Sequence, residues 1–297
     1  MVQKDPVSGL EDGLLSFYED HEELLPKIFY TNSSYEYWGR AASLIHTSID
    51  GKRDIEVPEN VRIYHIAGTQ HGPGSFPPRV SLGQQPSNAV DYRWALRGLL
   101  AALESWVSNG RRPPGSQYGK VADGTMVAPE KLAWPKIPGV GFSTRIHRAY
   151  RADYGPRFYS EGIVENEPPK IGPAFPMLAP AVDADGNERT GIRLPEVAVP
   201  LATHTGWNLF NEKSGPTDEI SSMQGSFIAF PRTKAEREAK GDPRLSIEER
   251  YAGREEYLGR VAEVAVELAE QAYVLQADVP AMIRSAGEKW DALAARE

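Results

Sequence analysis

The chain has 297 residues, 40% of them apolar, which is ample for a core of one or two domains and excludes a disordered polypeptide. Its 41 acidic and 33 basic side chains leave a net charge of -8, and no continuous basic patch offers a nucleic acid a footing. Zero cysteines exclude disulfides, thiolate catalysis and Cys-ligated zinc. The first ten residues hold no apolar signal core and no later run reaches membrane-spanning length, so the chain reads as soluble, without a targeting signal and cytoplasmic by default.

Residues 1–26 are polar, with a short acidic helical stretch from Gly13 to Leu25. Lys27 to Thr31, β-branched or aromatic between Pro26 and Asn32, predicts a strand. Ser33 then opens a helix through Leu44, and Ser33 with Glu36 has the form of a capping box. A turn at Asp50-Gly51 and a loop around Pro58 lead into a second strand, Val61 to Ala67. After a Gly- and Pro-rich loop, Asn88 is placed to cap an amphipathic helix carrying Leu96, Leu99, Leu100, Leu103, Trp106 and Val107, which Gly110 ends. Residues 1–110 therefore read strand–helix–strand–helix, the pattern of a parallel sheet in an α/β fold. Residues 111–231 read as a loop-rich elaboration with short strands at Val197–Leu201 and Gly225–Phe230. Residues 232–297 are a helical region, with capping boxes at Thr233/Glu236 and Ser246/Glu249 and Asp278 capping the last helix just before Pro280. Its many i,i+4 charge pairs predict a solvated outer layer.

The segment Arg62 to Gly72 carries the chemistry: an apolar strand ends in a loop presenting His71, with Gly68 and Gly72 making room. A general base needs such a rigid edge to reach a nucleophile on a neighbouring turn. His21, His46, His147 and His204 read as surface or satisfied core residues, and His65, mid-strand, as a packing residue. A base also needs a carboxylate on its other ring nitrogen. Glu36, which follows the preceding strand, is the first choice; it reads equally as the capping partner of Ser33. Asp50 and Asp54 rank behind it.

The nucleophile is not legible. No Gly-x-Ser-x-Gly occurs, and the nearest approach, Gly141 to Arg145 around Ser143, lacks its second glycine. Ser34 lies at a strand-to-helix turn, but Asn32 and Tyr35 crowd it, and helix capping explains the Ser33-Ser34 pair better. A metal site from His65, His71 and a carboxylate lacks helical spacing, and no cofactor is implied. Asn32-Ser33-Ser34 matches a glycosylation sequon without a secretory signal to support it. Thr203 to Asn208 either lines a pocket or forms a turn, and Tyr35, Tyr37 and Trp38 read as core.

Pro26 to Arg40, Ala67 to Pro73, Asp91 to Arg97, Gly191 to Leu201, Thr205 to Asn208, Arg232 to Glu238 and Ser246 to Tyr251 together resemble a family of bacterial proteins, the alpha/beta hydrolase domain family. The resemblance covers nearly the whole chain from about Asp5. It implies an α/β-hydrolase fold, ester or amide cleavage of a small molecule, His71 as triad histidine and Glu36 as its acid. Family members carry the early strands and the nucleophilic serine upstream of the matching region, so the chain resembles the C-terminal half of a hydrolase. Alone it is expected to be inactive, and its partner to be an N-terminal half or a second copy. The rival expectation is a non-catalytic binding module using the remaining pocket or sheet edge; a metal-dependent hydrolase on His65 and His71 comes third.

Overall fold

The computed structural model describes residues 2–18, 20–142 and 145–294. Ile28–Ser33 (β1) and Val61–Ile66 (β2) pair in parallel, with Ile28 opposite Val61 and Ser33 opposite Ile66. Alternation along the strands sorts their side chains onto two faces. Phe29, Tyr64 and Ile66 turn toward the largest apolar cluster, where Leu99, Leu194, Val197, Leu268 and Met282 meet them. His65 turns the other way, against the Tyr37 ring 4.7 Å off. On its far side β2 is bridged in parallel by Gln117 and Ile192; the His65 amide donates to Gln117 O and the Ile192 amide to His65 O, each at 2.7 Å. Among the described residues no strand pairs with the far edge of β1.

The helix after β1 is shorter than its sequence predicts. Ser34–Gly39 (α1) ends at Arg40 and a left-handed Ala41 (φ 51°), and Ala42–Ile45 is a separate 3-10 turn. Ser33 makes no side-chain bond to the backbone as N-cap, so the expected capping box is not formed. Among the described residues of Gly13 to Leu25 there are two 3-10 turns, Ser16–Tyr18 and Glu22–Leu24, in place of a helix, and Leu14 and Leu24 are exposed.

The second long helix, Arg93–Asn109 (α2), starts after Tyr92, not at Asn88. The Asn88 amide instead donates to the carbonyls of Gly68 and Thr205, tying two loops together. Ala95, Leu99 and Trp106 are buried against the sheet, whereas Leu100 and Val107 are 68% and 61% exposed. Its apolar residues thus span two faces, of which one is covered.

Further on, Ala202–Thr205 (β3) pairs antiparallel with Ser226–Ala229 (β4). Val197–Leu201 is no strand: Pro195, suited to a first helical position, starts a single turn over Pro195–Ala198. Thr233 and Ser246 cap their helices as the spacing predicts, the latter with a complete capping box. Asp278 stands at the N-cap of the last helix but makes no capping bond, and meets Arg97 at 3.0 Å instead. Arg254–Glu270 (α3) and Val279–Leu293 (α4) are not a mere outer layer. Val261, Ala265 and Leu268 from one, and Val279, Met282 and Ala286 from the other, enter the main clusters. Most of their charge pairs lie on outward faces, but the buried Lys289 of α4 meets Glu196 at 2.6 Å.

The accessible surface is 15412 Å². A compact monomer of this mass exposes about 12,500 Å². The fold therefore carries about a quarter more surface than its size requires.

Two buried histidines make its stability pH-dependent. Burial holds His46 down at about 4, with the nearby His65 adding to the effect, and holds His204 down at about 3. Both are lowered in the fold, so their contribution is complete above the unfolded value and shrinks as the unfolded chain takes up protons below it. Each should cost about 2 kcal/mol between pH 7 and pH 5. Urea unfolding at those two pH values should show the loss, and His46→Gln should remove about half of it.

Candidate functional site

The parallel register places the ends of β1 and β2 side by side, so that the first turn of α1 and the loop 67–72 emerge together. Glu36 projects from that turn and His71 from that loop. His71 Nδ1 lies 2.5 Å from Glu36 Oε1, and the Ser33 hydroxyl donates to the other carboxylate oxygen. The Ser33–Glu36 contact that the spacing foretold is therefore real, but it joins two side chains and orients the acid.

His71 is held from several sides. The Tyr92 hydroxyl donates to its carbonyl, and burial together with the charge of Glu36 lifts that phenol to about 12, so it stays a donor. The Tyr35 ring stands T-shaped to the imidazole, their centroids 6.0 Å apart. The imidazole is 51% exposed and Glu36 17%. With Nδ1 engaged by the carboxylate on a half-exposed ring, Nε2 is the nitrogen left over, and among the described residues no hydroxyl bonds to it. A ring fixed at Nδ1 by an acid and open at Nε2 is the arrangement a general base needs.

The loop beneath is pinned with equal care. Gly68 adopts φ +65°, and a Cβ there would meet Val197 at 2.9 Å, so only glycine fits the bend. Its amide donates to Glu188 Oε2 at 2.7 Å. The Thr69 amide donates to Ser34 Oγ at 3.1 Å, and the Tyr35 amide to Thr69 O at 3.2 Å. Gly206 packs on Ser34 so closely that a Cβ would stand 2.4 Å from that side chain.

Ser34 is wholly buried and lies apart from His71. Its hydroxyl donates to Glu188 Oε2 at 2.5 Å, and His65 Nε2 stands 3.2 Å from Ser34 Oγ and 3.1 Å from the same carboxylate oxygen. The three residue types are those of a triad, but their order is not. Acid and hydroxyl meet the same ring nitrogen, while Nδ1 is buried without a partner. No substrate carbonyl has access to this trio. Glu188 was missed in the sequence. Its signal is the turn Asp183-Ala-Asp-Gly-Asn187, whose Asp183 Oδ1 accepts the Asp185 and Asn187 amides and so delivers Glu188 inward.

The remaining candidates go elsewhere. Asp54 accepts the amides of Val121 and Ala122, and Asp50 bonds Ser48, which with the Lys52 amide holds its carboxyl below the usual range. Among the described residues no three His, Asp or Glu side chains converge on a possible metal position, and His65 and His71 diverge. Thr203 to Asn208 is buried, with His204 against Phe227 and the Asn208 amide on Gln85 O. Tyr35, Tyr37 and Trp38 are core. Ser143 lies outside the described residues. Two clefts of about 760 and 750 Å³ open elsewhere, and neither is lined by His71 or Glu36. Among the described residues no helix is long and apolar enough to cross a membrane.

A family model described as "Alpha/beta hydrolase domain" matches residues 18–284. The match spans nearly the whole chain and lends no support to a confinement of the resemblance to one half of the family. No curated protein and no solved structure matches the chain.

The two histidines of one segment should answer mutation differently. His71→Ala should change the unfolding free energy by less than about 1 kcal/mol, since a contact made by a half-exposed side chain contributes little. His65→Ala, which strips a partner from a buried carboxylate, should cost about 3–5 kcal/mol. Equilibrium denaturation of both variants measures the contrast.

Proposed function

The chain belongs to the alpha/beta hydrolase domain family, and we propose that His71 and Glu36 are the base and orienting acid of an ester- or amide-cleaving serine hydrolase. The observation that carries the reading is the 2.5 Å contact of His71 Nδ1 with Glu36 Oε1 at the ends of adjacent parallel strands, on an imidazole that is half-exposed. In that reaction Nε2 takes the proton of a serine hydroxyl as its oxygen attacks the substrate carbonyl, and Glu36 stabilises the imidazolium. Nε2–H then protonates the leaving alkoxide or amine, and water repeats the cycle to release the acid.

The serine, in this reading, sits on a segment outside the residues described, as part of an N-terminal portion of the fold that docks here. Three features support that. Among the described residues no hydroxyl bonds His71 Nε2, no strand pairs with the outer edge of β1, and Leu100 and Val107 on α2 are exposed. The uncovered edge and stripe equally suit a non-catalytic binding module, the second reading.

Fluorophosphonate labelling and p-nitrophenyl ester turnover separate the cases. The chain alone should take no label, because losing a nucleophile costs on the order of a millionfold in rate. Supplying in trans a family segment that bears a Gly-x-Ser-x-Gly turn should restore labelling, and His71→Ala should abolish it. Labelling of the chain alone that disappears in Ser34→Ala would overturn the proposal and name Ser34 as nucleophile. No restoration by any such segment would favour the binding module.

A further inference from the structure

The trio of Ser34, His65 and Glu188 is an unusual thing to bury. Desolvating a carboxylate costs several kcal/mol, on the order of the whole stability of many domains, unless donors surround it. Here one oxygen, Glu188 Oε2, meets the Gly68 amide at 2.7 Å, the Ser34 hydroxyl at 2.5 Å and His65 Nε2 at 3.1 Å. His65 Nδ1 is buried and unpartnered, and a Cβ on Gly191 would come within 2.8 Å of it. The network therefore assigns the imidazole proton to Nε2, pointing at the carboxylate.

The donors come from two different pieces of chain. Ser34 opens α1, two residues before Glu36, and Gly68 begins the loop that ends in His71. A second set of bonds closes the same gap: the Thr69 amide donates to Ser34 Oγ, and the Ser34 amide to Thr69 Oγ1 at 3.3 Å. Glu188 is thus the acceptor at which the acid-bearing turn and the base-bearing loop are clamped together. It touches neither His71 nor anything His71 could act upon.

We infer that Glu188 is a positioning residue, whose carboxylate clamps the Ser34 turn to the Gly68–Thr69 loop and so sets the contact between Glu36 and His71. The inference rests on the proposed role of His71 and Glu36. A shift of about 1 Å in either piece would separate the pair, since a 2.5 Å hydrogen bond has little slack.

The test reads the His71 ring directly and needs no turnover. Two-bond ¹H–¹⁵N correlation spectra of neutral, ¹⁵N-histidine-labelled protein report which ring nitrogen carries the proton. A carboxylate acceptor at Nδ1 enforces the Nδ1–H tautomer, whereas a free imidazole in water prefers Nε2–H. In the unsubstituted chain His71 should be Nδ1–H, and Glu36→Gln, the control, should lose that enforcement. Glu188→Gln keeps the shape but lacks the charge, and Ser34→Ala removes the bridge to Thr69. Each should move His71 toward Nε2–H, while Glu188→Asp restores the wild-type signature in part. An Nε2–H tautomer in the unsubstituted chain would defeat the base-and-acid reading itself. An Nδ1–H tautomer unchanged in folded Glu188→Gln and Ser34→Ala, with only the melting temperature lowered, would defeat the positioning role alone. Failure of both variants to fold would make the trio a structural element only, and would equally overturn the inference.

Discussion

Six residues of parallel pairing between β1 and β2 set everything that follows. A parallel pair delivers both strand ends to the same side of the molecule, where an antiparallel pair would send them to opposite sides. Glu36, 35 positions from His71 in sequence, arrives within hydrogen-bonding distance because Ser33 stands opposite Ile66. A slip by one residue would turn His65 toward the apolar cluster and Tyr64 toward Glu188. The register is protected against that slip from both faces, by Phe29 edge-on to Tyr64 at 4.9 Å on one and by the His65–Glu188 contact on the other.

Much of this was legible in the residues themselves. The two strands, the long helix ended by Gly110, the caps at Thr233 and Ser246, and the pairing of His71 with Glu36 follow from local pattern and chain order. The misses have a common cause. Asn88, Ser33 and Asp278 carry capping chemistry, yet each makes a different contact: Asn88 with distant Gly68 and Thr205, Asp278 with distant Arg97, and Ser33 with the nearby Glu36 side chain. Val197–Leu201 has strand composition, but Pro195, two residues before it, starts a helical turn that takes in its first two residues. Glu188 was missed because the Asp183–Asn187 turn marks where the chain bends without marking which acid it turns inward. Its partners lie more than a hundred residues away.

The same contrast separates the two histidines. His65 and His71 stand six residues apart on one strand and its loop, and composition treats them alike. Strand alternation sends His65 inward to a carboxylate it shares with a serine. The bend at Gly68 releases His71 to the surface with one nitrogen held and the other open. Chemical opportunity here is a matter of which nitrogen is spoken for, and that is decided by backbone geometry.

The surface excess has a thermodynamic corollary. Heat capacity on unfolding scales with the apolar area newly exposed, about 12–15 cal/mol/K per residue for compact domains. A fold that already shows Leu100, Val107 and a quarter more surface than its mass requires has less left to expose. The area it buries is smaller by about a tenth, so its stability curve should be slightly flatter than those of compact domains of this length. Covering the second face of α2 would steepen that curve, so calorimetric curvature becomes a direct gauge of how much of the helix is sheltered.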